Sequence, residues 1–183
     1  MVLPPFPFLA NSEKKEIMTI KSTDGSAQRL VISNHDDYQS AIATLSAHTT
    51  RFIRIYSADL PTAIFDNNDF IDVISAFARK SRHSTVQIII ENTHSITQRN
   101  QRLLNLHHRL STIQVRLADQ DYRCEAETYF IFDSFALIEK PHTDTEQGLV
   151  YFNSPREATR KLRQFHEAWD HATVDDNLRQ QII

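Results

Sequence analysis

The stretch AETYFIFDSFALIEK, residues 126–140, decides how this chain folds. Its first half is an aromatic and β-branched run, its second half a shorter apolar run, and Asp133-Ser134 between them is turn chemistry. It reads as a hairpin of two strands, and GLVYF at 148–152 reads as a further strand beside it.

Working outward toward the N-terminus, apolar runs alternate with helical patterns. VQIII at 86–90 is nearly all apolar, as a strand covered on both faces should be. RFIRIYS, β-branched and aromatic, and IQVRL read as further strands. Three helical patterns alternate with these runs. The first starts near Asn34 or His35 and carries Tyr38, Ala41, Ile42 and Leu45 at helical spacing. The second is capped by Asn68 and carries Phe70, Ile71, Val73, Ile74, Phe77 and Ala78. The third runs from Gln98 to Leu110 with Leu103, Leu106 and Leu110 on one face. EIMTIKS and QRLVIS, joined through Asp24-Gly25, read as an earlier hairpin. After the last strand, Ser154-Pro155-Arg156-Glu157 reads as a capping box opening a helix with the stripe Leu162, Phe165, Trp169 and Ala172. The order β-α-β-α-β-α-β, then strands, then a closing helix, predicts an α/β fold with a mixed, largely parallel sheet flanked by helices.

Size agrees with one unit. The 183 residues, 40% hydrophobic and 23% charged, suit a globular domain at 16–183 behind an extended Pro-rich arm at 1–15 that carries Pro4, Pro5 and Pro7. With two glycines, no Gly-rich phosphate loop of the P-loop or dinucleotide-binding type can exist. A single cysteine, Cys124, excludes an internal disulfide and a zinc site built on paired thiolates; its reading is a small buried hydrophobe. A net charge of −3 argues against a general nucleic-acid footprint. Neither a signal peptide nor a membrane span is legible, so the expected location is the cytoplasm and no membrane partner is expected.

Candidate residues come from strand ends and from charges inside strands. Asp59, Glu91, Asp119 and Asp121 fall after strands, where open α/β sheets bind ligands, and make that rim acidic. Arg54 and Arg116 lie within strands that are otherwise apolar on alternate positions. A guanidinium there needs partners, and Glu127 and Asp133 on the hairpin are the carboxylates expected to supply them, as structural ion pairs or as remnants of an anion pocket. His107-His108 point in different directions on a helix, and His166 with His171 is a poor metal pair, so no metal or cofactor site is expected.

The 126–140 hairpin also resembles the phospholipase D-like superfamily, which carries His, one residue, Lys, four residues and Asp on a strand that turns back. Ala126 stands at the His position, Thr128 at the Lys position and Asp133 at the Asp position. From about Asp36 to Ile183 the chain resembles a bacterial family of degenerate phospholipase D-like domains, some fused to acetyltransferase domains. The resemblance rests on the order IYSADL, FDNNDF, RLLNLHHRLS, VRL, IFD, FHEAWDHA and NLRQQII. In the superfamily the His attacks phosphorus and the Lys binds phosphoryl oxygens. An alanine cannot attack and a threonine carries no charge. The resemblance therefore implies a non-catalytic interaction or ligand-sensing domain. A phosphodiesterase-type enzyme with other residues, or a nucleic-acid-binding domain, is the alternative. Asp133 is left with a structural role. The partner implied is a protein, with an acetyltransferase and a second copy of the chain as candidates, and nucleic acid is not expected.

Overall fold

The computed structural model describes residues 19–21, 28–124, 127–140 and 147–178. The Pro-rich arm at 1–15, the Asp24-Gly25 turn and Ala126 lie outside the described residues. The elements are β1 (Thr19–Lys21), β2 (Gln28–Ile32), α1 (His35–His48), β3 (Phe52–Ser57), α2 (Thr62–Phe65), α3 (Asn68–Lys80) and β4 (Thr85–Ile90). They continue with α4 (Thr93–Gln98), α5 (Gln101–Arg109), β5 (Ile113–Leu117), β6 (Thr128–Phe132), β7 (Ala136–Lys140), β8 (Gly148–Phe152) and α6 (Pro155–His171).

All eight strands form one sheet in the order β1-β2-β8-β7-β6-β3-β4-β5. The fold is α/β with a mixed sheet, but the sheet is mostly antiparallel rather than largely parallel. Only β3-β4 and β4-β5 run parallel, while β1-β2, β2-β8, β8-β7, β7-β6 and β6-β3 are antiparallel. The cause is connection length. Helical crossovers return β4 and β5 in the direction of β3, whereas the tight turn after Phe132 reverses the chain and β7 must pair antiparallel.

One face of the sheet is covered by the helices between β2 and β5. Ile42, Leu45, Phe65, Phe70, Ile74 and Leu103 pack there on Ile53, Ile55, Val86, Ile88, Phe130 and Phe132. The other face meets α6, where Ala158, Phe165, Ala168 and Trp169 pack on Tyr56, Ile89, Tyr129, Ile131 and Leu137. Local start signals decide the boundaries. Asn34 accepts from the Asp37 amide at the start of α1. Asn67, one residue before the expected cap, accepts from Asp69 at the start of α3. The expected third helix is α5, starting at Gln101 rather than Gln98, and an additional short helix, α4, precedes it. Between them a buried Asn100 donates through its amide to the Leu60 and Ser95 carbonyls. The expected capping box does not form, because the Ser154 hydroxyl donates to the Phe152 carbonyl instead and Glu157 pairs with Arg160. Gly148 is required by close approach: a Cβ there would collide with the Tyr38 hydroxyl and the Glu139 carbonyl.

Asp133 joins the two halves of the sheet. It turns the chain from β6 to β7 at φ 48°, a left-handed conformation that Asp tolerates better than most residues. Its carboxylate accepts four hydrogen bonds from the start of β3: Oδ2 from the Thr50 amide and hydroxyl at 2.9 and 3.2 Å, and Oδ1 from the Arg51 and Phe52 amides at 3.0 and 2.8 Å. These partners lie about eighty residues away in sequence, so the structural role expected of Asp133 is held by a long-range cap and not by bonds within its own turn.

Two stability predictions follow from this packing. Trp169, 8% exposed and stacked on Phe165, should emit at short wavelength, and Trp169→Ala should cost about 3–5 kcal/mol in urea unfolding. Asp133→Asn puts an NH2 against amide donors and should destabilise nearly as much as Asp133→Ala, each by about 3 kcal/mol. An Asn variant of wild-type stability would show that the four bonds carry little.

Candidate functional site

The ends of β3, β4 and β5 meet the start of β6 at one rim of the sheet, and the residues picked out there divide into separate networks. Asp59 is exposed. Glu91 accepts a hydrogen bond from the Tyr56 hydroxyl at 2.5 Å, and the same hydroxyl accepts from the Cys124 amide at 2.8 Å. Burial, reinforced by the bond to Glu91, pushes the Tyr56 phenol well above its ordinary range. Asp119 accepts from the Asp121 amide and so caps the short turn at 120–122. The acidic rim thus splits into a Tyr56 acceptor, a turn cap and exposed carboxylates. Among the described residues, no three His, Cys, Asp or Glu side chains gather closely enough to hold a metal ion.

Thr128, at the position the resemblance aligns with a phosphate-binding lysine, is buried. Its hydroxyl is 2.8 Å from the Ser57 hydroxyl, which accepts from the Leu60 amide. Leu60 has φ 46°, a conformation costly for a bulky side chain, and is held from both sides, since its carbonyl accepts from Asn100. The two hydroxyls and the Asn100 amide together fix the turn after β3. Cys124 is buried as its type suggests, and burial raises its thiol above the ordinary value, so it is no ready nucleophile.

Arg54 and Arg116 do not form the expected ion pairs with Glu127 or Asp133. Arg54 donates through one nitrogen to the Ile53 and Thr85 carbonyls and the Thr85 hydroxyl at 3.1–3.2 Å, and its guanidinium lies over the Phe52 ring at 4.5 Å. Burial pushes it down to about 10, partly offset by the charge of Asp133, so it stays charged at neutral pH. Arg116 donates to the Trp169 carbonyl at 3.1 Å and lies over that indole at 4.4 Å. The physical reason is placement. Both Asp133 oxygens are engaged by backbone amides, Arg116 on β5 is three strands from β6, and carbonyls with aromatic faces satisfy the cations instead.

Glu127 faces a cation that strand patterning did not reveal. Lys161 lies on the buried stripe of α6, its side chain 5% exposed, and donates to Glu127 at 2.5 Å with Glu139 at 3.5 Å. Its ammonium also sits 4.8 Å from the Tyr129 ring. The signal was available in the spacing, since Lys161 falls three residues after Ala158 and four before Phe165, both buried. Arg160 reaches Glu139 and Glu157 from outside, and a cavity of about 300 Å³ opens between these groups, Thr128, Lys140 and Leu149. His107 donates through Nδ1 to the Ile113 carbonyl, and burial holds its ring below the ordinary histidine value. His108 contacts the Leu178 carbonyl and His171 stacks on Tyr122 at 4.0 Å, so these histidines serve packing.

The fold is that of phospholipase D-like proteins. It is similar to Nuc from Salmonella typhimurium, described as a phospholipase D family member, with TM-score 0.62 and 15% identity over 80% of this chain and 96% of that one. NucT from Helicobacter pylori gives TM-score 0.62 and 11% identity over 81% of this chain and 99% of that one. TrmBL2, an archaeal chromatin protein whose structure is described as showing a novel mode of DNA binding, gives TM-score 0.56 and 12% identity over 84% of this chain and 56% of that one. No curated protein sequence matches. The family model for a domain of unknown function, DUF7931, matches residues 34–181, from the N-cap of α1 past the last described turn, and the chain belongs to that family.

Proposed function

We propose that this chain is a non-catalytic interaction or ligand-sensing domain built on a phospholipase D-like scaffold, acting in the cytoplasm by binding rather than turnover. The observation that carries this reading is Thr128. It occupies the position matched to the superfamily lysine, it is buried, and its hydroxyl is spent on Ser57. Phosphoryl transfer through a phosphohistidine needs a nucleophile and a fixed cation at this place. The sequence supplies Ala126 and Thr128. The surrounding groups do not replace them, since the Cys124 thiol is raised by burial and Lys161 is occupied by Glu127. Among the described residues, no helix is long and apolar enough to cross a membrane.

Purified protein should leave bis(p-nitrophenyl) phosphate, single-stranded DNA and RNA intact over long incubations, with or without added divalent metal. Turnover that follows the protein through purification and disappears with one substitution in this chain, such as Lys161→Met, would overturn the reading.

A further inference from the structure

The connections flanking the three parallel strands carry different charges at their two ends. Beyond the C-terminal ends of β3, β4 and β5 stand Asp59, Glu91, Asp119 and Asp121. At their N-terminal ends stand exposed Arg51, Arg82, His83 and Arg109. Asp133, the carboxylate at that second end, has both oxygens engaged by the start of β3. The basic end continues onto the face of the sheet that α6 serves. The helix packs on β3, β6 and β7, and its large side chains sit over Tyr56 and Ile89. The lower residues of the three parallel strands on that face are only partly covered: Phe52, Arg54, Thr85 and Gln87 are half-buried and Gln114 is exposed.

The register makes an ordered surface of them. Arg54 is level with Gln87, and Gln87 with Gln114, so one row crosses three strands. Arg116 stands one row higher, level with Ile89. Strand spacing and rise put the Arg54 and Arg116 Cα atoms about 12 Å apart. Each guanidinium is laid over an aromatic ring, 4.5 Å from the centroid of Phe52 and 4.4 Å from that of Trp169; Asp133 acts on Arg54 only through its charge, without a direct ion pair. Each engages one terminal nitrogen with carbonyl or hydroxyl oxygens, which pins the group, and both side chains are half-buried. Gln87 donates to Gln114 at 3.3 Å, leaving the Gln87 carbonyl oxygen and the Gln114 NH2 for an acceptor and donor on a partner.

We propose that this row, Arg54, Gln87, Gln114 and Arg116, binds single-stranded nucleic acid, with bases stacked on the two guanidinium planes and phosphates running along Arg51, Arg82 and Arg109. It rests on the non-catalytic reading and names the partner class of that binding domain. Flat cations and open sheet amides are how sequence-tolerant modules hold unpaired bases, whereas an acidic peptide takes guanidinium edge-on in a fork. The exposed carboxylates at the other end of the strands, Asp59, Asp119 and Asp121, lie away from this row, and screening weakens their field there.

The test is fluorescence anisotropy with labelled oligo-dT and oligo-U of about 15 nucleotides and the full chain, at salt from about 50 to 200 mM. Binding that weakens steeply with salt is expected. Arg54→Lys and Arg116→Lys keep the charge and lose the plane, and each should weaken binding about tenfold. Gln114→Glu alters an exposed side chain without threatening the fold and should weaken it comparably, whereas Asp59→Asn at the far rim should leave it unchanged. Absence of binding at low salt, or full affinity in both Lys variants and in Gln114→Glu, overturns the proposal. Tighter binding of an Asp/Glu-rich peptide of equal length also overturns it and assigns the face to an acidic protein segment. A gel of the incubated strand separates the two readings: cleavage sinks the non-catalytic function, while an intact and unbound strand sinks only the nucleic-acid face.

Discussion

Strand β3 is the seam of this sheet, parallel to β4 on one side and antiparallel to β6 on the other, and the carboxylate of Asp133 fixes where it begins. Three amides and one hydroxyl at the start of β3 point at the turn between β6 and β7. Of these donors only the Phe52 amide is partly buried, so it is the one for which losing the acceptor costs most. With the acceptor in place, the register of β3 against β6 is set, and with it the rows that carry Arg54 and Tyr56. One carboxylate thus holds together the parallel and antiparallel halves.

Most strands and helices were legible because burial imposes a period. Phe70, Ile74 and Phe77 on α3, and the run at 86–90, had one assignment each that hides their apolar side chains. Strand direction was less legible. Nothing local in QRLVI says that it pairs with β8, a partner more than a hundred residues later, so a sheet read from its helical middle looked more parallel than it is. The candidate site shows the same division. Asp133 and Glu91 were visible as polar residues in marked places, yet their partners, the start of β3 and the Tyr56 hydroxyl, are fixed only by tertiary structure. The arginines misled because carboxylates are not the only groups that satisfy a guanidinium; a ring face and a carbonyl suffice.

The rim of the sheet around Thr128 holds no loose polar groups at its hydroxyls. Thr128, Ser57, Leu60 and Asn100 form a closed chain of bonds around a residue of positive φ. Lys161 entered from α6 with two carboxylates beside it. Cations and carboxylates therefore meet at this rim, each engaged with the other.

The outer edge of β5 is also closed. The backbone of Leu117 exchanges both its hydrogen bonds with Thr173, the Ile113 amide donates to Leu110, and the Ile113 carbonyl is taken by His107. On a strand whose outward groups recur at every second residue, that leaves the single step at Val115 between two blocked ones. Another chain cannot lay a strand along so short a gap. Fibre growth and strand exchange are therefore barred at this border of the sheet, and at high concentration the molecule is protected there by its own C-terminal segment and one imidazole, without a charge or proline in the strand's outward positions.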